Sequence, residues 1–95
     1  MDDEAEALVQ DILGKYGSVS SRELALQMAE GVEGIEVEGS EVKNVESVEA
    51  IEGLVEKLKD GVGPVALRFA RKAVEEADLS QEFKEKLPDT YKRSS

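Results

Sequence analysis

Gly34-Ile35-Glu36-Val37-Glu38-Gly39-Ser40-Glu41-Val42-Lys43 is the stretch on which the fold turns. Ile35, Glu36, Val37 and Glu38 alternate apolar and acidic with a period of two, the pattern of a strand with one buried face. Gly39-Ser40 suits a two-residue primed turn, after which Glu41-Val42-Lys43 returns. In that register Val37 faces Val42 and Glu36 faces Lys43, an apolar pair and an opposite-charge pair. A lone hairpin is marginal in water, so helices must cover its apolar side. An irregular loop over residues 32–45 is the competing reading.

Outward from this stretch the periodicity becomes helical. On the N-terminal side Ala5, Leu8, Val9, Ile12, Leu13 and Tyr16 form one apolar stripe, which predicts a helix over residues 3–15. Asp2, Asp3, Glu4 and Glu6 suit the positive end of its dipole, and Gly14 and Gly17 loosen its other end. Ser20 and Glu23 have capping-box spacing, with Val19 and Leu24 placed as a hydrophobic staple. They open a second helix with Leu24, Ala25, Met28 and Ala29 inward, ended by Gly31 and Gly34.

On the C-terminal side Val45, Val48, Ile51, Leu54, Val55 and Leu58 predict a third helix over residues 45–59, with Gly53 as a weak point or a close helix contact. Asp60-Gly61-Val62-Gly63-Pro64 is a break, and Pro64 suits the first turn of a fourth helix. Val65, Ala66, Phe69, Ala70, Ala73, Val74 and Ala77 make that helix's apolar face. Asp78 and Gln81 resemble a further capping box, opening a short helix with Leu79, Phe83 and Leu87 that Pro88 stops. The expectation is a mainly α protein: a compact bundle of four to five helices with a small β-hairpin near residues 34–43. An α+β, partly winged-helix-like arrangement is the alternative. Residues 1–88 form one domain, and residues 89–95 read as a frayed tail.

The chain has 95 residues and a formal net charge of −10. A domain of this size buries only about 60–65% of its unfolded surface, which leaves little room for an internal substrate cavity. The charge is uneven. Residues 1–56 hold 15 carboxylates against Lys15, Arg22 and Lys43, whereas residues 57–95 hold 7 carboxylates against 9 Lys and Arg. Such an excess keeps a surface solvated, and its polarity also orients association. No run approaches the roughly 18 apolar residues of a membrane span. Met1-Asp2-Asp3-Glu4 has the wrong charge for a secretory signal. The absence of cysteine removes disulfides and fits a cytoplasmic location.

Histidine is absent too. Triads built on His, thiol nucleophiles and the usual transition-metal ligands are therefore impossible within the chain. Nothing places a carboxylate or lysine in a dry cleft, so we expect no enzyme and no cofactor. Glu33, Glu36, Glu38 and Glu41 invite a calcium reading. An EF-hand loop counted from Glu30 would need Gly sixth, where Ile35 stands. Gly61-Val62-Gly63-Pro64 precedes a helix but lacks the Lys-Ser or Lys-Thr of a phosphate loop.

Residues 5–31, with Ser20-Ser21-Arg22-Glu23-Leu24-Ala25 at their turn, resemble the opening of a helix-turn-helix or winged-helix module. That resemblance implies a following recognition helix rich in basic and amide side chains. Here Glu46, Glu49, Glu52 and Glu56 occupy the polar positions of the next helix, which DNA would repel. No binding residue carries over. Two candidate surfaces remain. Val65, Leu67 and Ala70 give the fourth helix a broad apolar face that suits a protein partner or a second copy of the chain. Arg68, Arg71 and Lys72 cluster on the same helix, and Lys84, Lys86, Lys92 and Arg93 extend a candidate anion or nucleic-acid patch. Binding to a protein partner is the leading expectation and nucleic acid the disfavoured one.

Overall fold

The computed structural model describes residues 3–39, 41–77 and 79–92. Among them six helices and one antiparallel hairpin follow in the order α1 (Asp3–Val19), α2 (Arg22–Glu30), β1 (Ile35–Glu38), β2 (Glu41–Val45), α3 (Val48–Val62), α4 (Val65–Glu76), α5 (Gln81–Lys86) and α6 (Asp89–Lys92). The chain is thus mainly α with one small hairpin. Helix α1 is its spine. Ala5, Leu8, Val9, Ile12 and Leu13 are completely buried and Tyr16 nearly so, and α1 contacts α2, β2, α3 and α4.

Helix α1 runs past Gly14 and Gly17 to Val19 rather than ending near Lys15. Two glycines each cost about 1 kcal/mol in a helix, but burial of Tyr16 beyond Gly14 holds the last turn in place. Gly17 lies against the start of α2: a Cβ there would stand 3.3 Å from the Arg22 Cα. The α2 cap consequently falls one residue later than the Ser20–Glu23 spacing predicts. Ser21 has extended backbone, and its hydroxyl accepts from the Leu24 amide at 3.1 Å. Val19 and Leu24 are exposed instead of stapled. The Lys57 ammonium donates to the Gly31 carbonyl at 3.0 Å, placing a cation at the end of α2.

The hairpin forms, with a correction to its register. Val37 faces Val42 as expected, but Glu36 faces Asn44 and Ile35 faces Val45. Lys43 is the extra residue of a bulge. A regular ladder would have set Asn44 opposite Ile35 on the buried side. The bulge puts completely buried Val45 there, and the apolar gain outweighs an exposed Glu–Lys pair of at most about 1 kcal/mol. Ser40 lies outside the described residues. Gly34 has φ +94°, and a Cβ on it would meet the Ala50 Cβ at 3.0 Å. Its carbonyl accepts from the Glu46 amide at 2.8 Å and closes the base of the hairpin. Because β1, β2 and Gly34 stand between α2 and α3, the element order departs from that of a helix-turn-helix.

Val45 belongs to β2, so α3 starts at Val48 and continues through Gly61 to Val62. A Cβ on Gly61 would lie 3.0 Å from the Tyr16 hydroxyl, so glycine lets α3 approach α1 closely. The break is confined to Gly63 and Pro64. In α4, Ala66, Ala70, Ala73 and Val74 are buried. Ser80 caps α5, its hydroxyl accepting from the Phe83 amide at 3.2 Å; Asp78 lies outside the described residues. The Ser80 amide donates to Glu4 at 2.7 Å, tying α5 to the start of α1. The predicted frayed tail needs correction over residues 89–92. They form α6, which packs on α4, with Tyr91 only 5% exposed. Phe83, Leu87 and Tyr91 recur every four residues, and burying the third offsets the cost of ordering this last turn.

Candidate functional site

Of the candidate partner surface, Val65 and Leu67 are half-buried. Ala70 is completely buried within the core and drops out of that surface. It lies on the side of α4 that closes the molecule's own interior. Leu67 opens onto a shallow groove between α3, α4 and α6, lined also by Glu52, Gly53, Val55, Glu56, Lys59, Pro88, Thr90 and Tyr91 and enclosing about 350 Å³. Its floor is apolar: Leu67 from α4, Pro88 and the Tyr91 ring from the C-terminal segment, and the bare backbone of Gly53 from α3. Its rim on α3 carries Glu52, Glu56 and Lys59, with the Lys59 ammonium 3.9 Å from Glu56.

Both groove glutamates act on Tyr91. Burial first, then the charges of Glu52 and Glu56, push its phenol well above the usual tyrosine range, so it stays neutral. The groove adjoins two further hollows. Glu52 is shared with one that holds Glu46, Ser47, Val48, Glu49 and Lys86. Gly53 is shared with one that holds Val32, Glu33, Glu46 and Glu49. The outward side of α3 is thus an acidic strip beside an apolar groove. Among the described residues Glu46, Glu49 and Glu52 make no ion pair within 4.0 Å, and no three carboxylates converge as a metal site would require.

The cationic patch is dispersed. Arg68 and Lys72 are exposed on α4. Arg71 turns to the C-terminal segment, where its Nε donates to the Thr90 carbonyl at 2.6 Å. Lys72 lies near enough to Glu76 to help hold that carboxylate below its ordinary range, after the stronger effect of Lys15. The Lys15 ammonium stands 2.6 Å from Glu76 and 3.7 Å from Asp11, and the hydrogen bond to Glu76 raises its own pKa. Lys84 is half-buried in α5, and Lys86 faces the hollow of Glu46, Glu49 and Glu52 rather than Arg68. Arg93 and the Lys92 side chain lie outside the described residues.

The sequence reading missed Tyr91, Pro88 and Gly53 as groove residues, and Glu52 and Glu56 as its rim. The four-residue spacing of Phe83, Leu87 and Tyr91 was the available sign for the first; the others depend on α3 and α6 meeting. Among the described residues no helix is long and apolar enough to cross a membrane. No family model matches the chain, and neither curated proteins nor solved structures give a significant match.

Proposed function

We propose that the protein is a non-enzymatic interaction module that docks a protein partner in the groove between α3, α4 and α6. The observation that carries this reading is the partly covered Leu67 beside Pro88, over the nearly buried Tyr91 and bordered by carboxylates. Interfaces of this kind use aromatic and aliphatic groups as anchors and a polar rim for orientation. A small core without histidine or cysteine gives catalysis little to work with. A nucleic-acid role is weaker, because Arg71 is spent on Thr90 and Lys86 faces glutamates.

The test compares the wild-type protein with Leu67→Arg as immobilised bait in extract of the source cell, with folding of the variant verified by circular dichroism. A protein retained by wild type and lost with the variant is the expected result. Equal capture by both would count against the groove. A gel shift with DNA or RNA at low salt, abolished by Arg68→Ala together with Lys72→Ala, would favour the cationic surface instead.

A further inference from the structure

We infer that the occupant of the groove is a basic protein segment, with at least two Lys or Arg flanking one apolar anchor. The inference rests on the docking reading above and names the chemistry of its partner. Glu49, Glu52 and Glu56 are spaced i, i+3 and i+7 on α3, which puts them on one side of the helix over about 10 Å. A helix or extended segment with cations at matching intervals can meet all three.

Gly53 stands within this row and lines the groove. A Cβ on it would stand 3.3 Å from the Val32 side chain, so the glycine serves the protein's own packing and the partner meets α3 at the flanking carboxylates. Beside these carboxylates lie Leu67 and Pro88, over the nearly buried Tyr91, which suit a single Leu, Met or aromatic side chain. The charges of Glu52 and Glu56 act on Tyr91, so apolar floor and acidic rim belong to one place rather than two.

Other occupants fit less well. A polyanion is repelled by the rim. A second copy brings a net charge of −10 of its own, and at least four of its cations are already engaged: Lys15 with Glu76, Lys59 with Glu56, Lys57 with the Gly31 carbonyl and Arg71 with the Thr90 carbonyl. Opposite rim charges mainly raise the association rate and confer salt dependence, while the anchor sets the residence time.

An unbiased library of random 12-residue peptides displayed on phage, selected on the full chain, tests this. The expected selection is enriched in Lys and Arg around one large apolar residue. A synthetic peptide from it should lose at least about tenfold in affinity with the double variant Glu52→Lys, Glu56→Lys, which is about 1.4 kcal/mol. Its binding should weaken as salt rises and disappear with Leu67→Arg. Circular dichroism checks that the variants fold. Neutral or acidic peptides that Leu67→Arg abolishes would overturn the basic occupant and leave groove docking standing. So would peptides indifferent to the charge reversal but lost with Leu67→Arg. No enriched peptide, or peptides that bind Leu67→Arg as well as wild type, would overturn both.

Discussion

Helices α1 and α4 are both amphipathic, yet they spend their apolar residues differently. Helix α1 buries a file of large side chains, Leu8, Val9, Ile12, Leu13 and Tyr16, against neighbours on several sides. Helix α4 buries mostly alanines, Ala66, Ala70 and Ala73 with Val74, and leaves Val65, Leu67 and Phe69 half covered. Alanine on the inner side of α4 lets it lie close to α1 and α3 with little side-chain volume between them. Its larger side chains then fall at the margin of the core. One helix completes the interior, and the other carries apolar surface that the molecule leaves partly open. Its cations follow the same division: Arg71 is tied to the protein itself, whereas Arg68 and Lys72 face solvent.

The largest expected effect tests this division directly. Leu13→Ala should destabilise the protein by about 2–5 kcal/mol, the range for cavity-forming changes in a packed core. Leu67→Ala should cost about 1 kcal/mol, because that side chain is only partly buried at the margin of the core. Urea denaturation of both variants measures the difference. Equal losses would mean that α4 is as deeply packed as α1.

A smaller effect separates a structural Arg71 from an anion-binding one. Arg71→Met keeps the apolar stem and removes the bond to Thr90, so stability should fall by about 1 kcal/mol. Amide hydrogen exchange should quicken in α6, at Tyr91 above all, with little change in α1. Unchanged exchange in α6 would break the contrast between Arg71 and its neighbours on α4.

The smallest effect shows only in alkaline solution. The Tyr91 pKa is raised in the folded state by burial and by Glu52 and Glu56. Its neutral phenol therefore adds stability fully below the unfolded tyrosine value of about 10, and that contribution is lost as the pH climbs through and beyond it. Stability should decline above about pH 10, and Tyr91→Phe should decline less. Parallel alkaline curves for the two proteins would mean that neither burial nor the groove glutamates raise the Tyr91 pKa.

The helical stripes were legible because apolar side chains at three- and four-residue intervals have one way to reach a common core. Alternation from Ile35 to Glu38 identified the hairpin for the same reason. What the sequence concealed was decided by contacts between elements. Ser20 matches the capping spacing as well as Ser21 does, and where the chain leaves α1, with Gly17 against Arg22, selects Ser21. The pairing of Glu36 with Lys43 is the better local arrangement, but burial of Val45 imposes a bulge. A small-residue stripe does not reveal which side its neighbours cover, so Ala70 looked as available as Leu67. The groove itself forms where α3, α4 and α6 converge, and residues 52–56, 67 and 88–91 have no local pattern in common.

The most direct test of docking in that groove is a two-dimensional amide NMR titration of the full chain with the tightest peptide recovered from the random library. Shifts should concentrate at Gly53, Glu56, Leu67, Thr90 and Tyr91 and leave the α1–α2 corner unmoved. Shifts centred instead on Arg68 and Lys72, or on the exposed Val19 and Leu24, would contradict it.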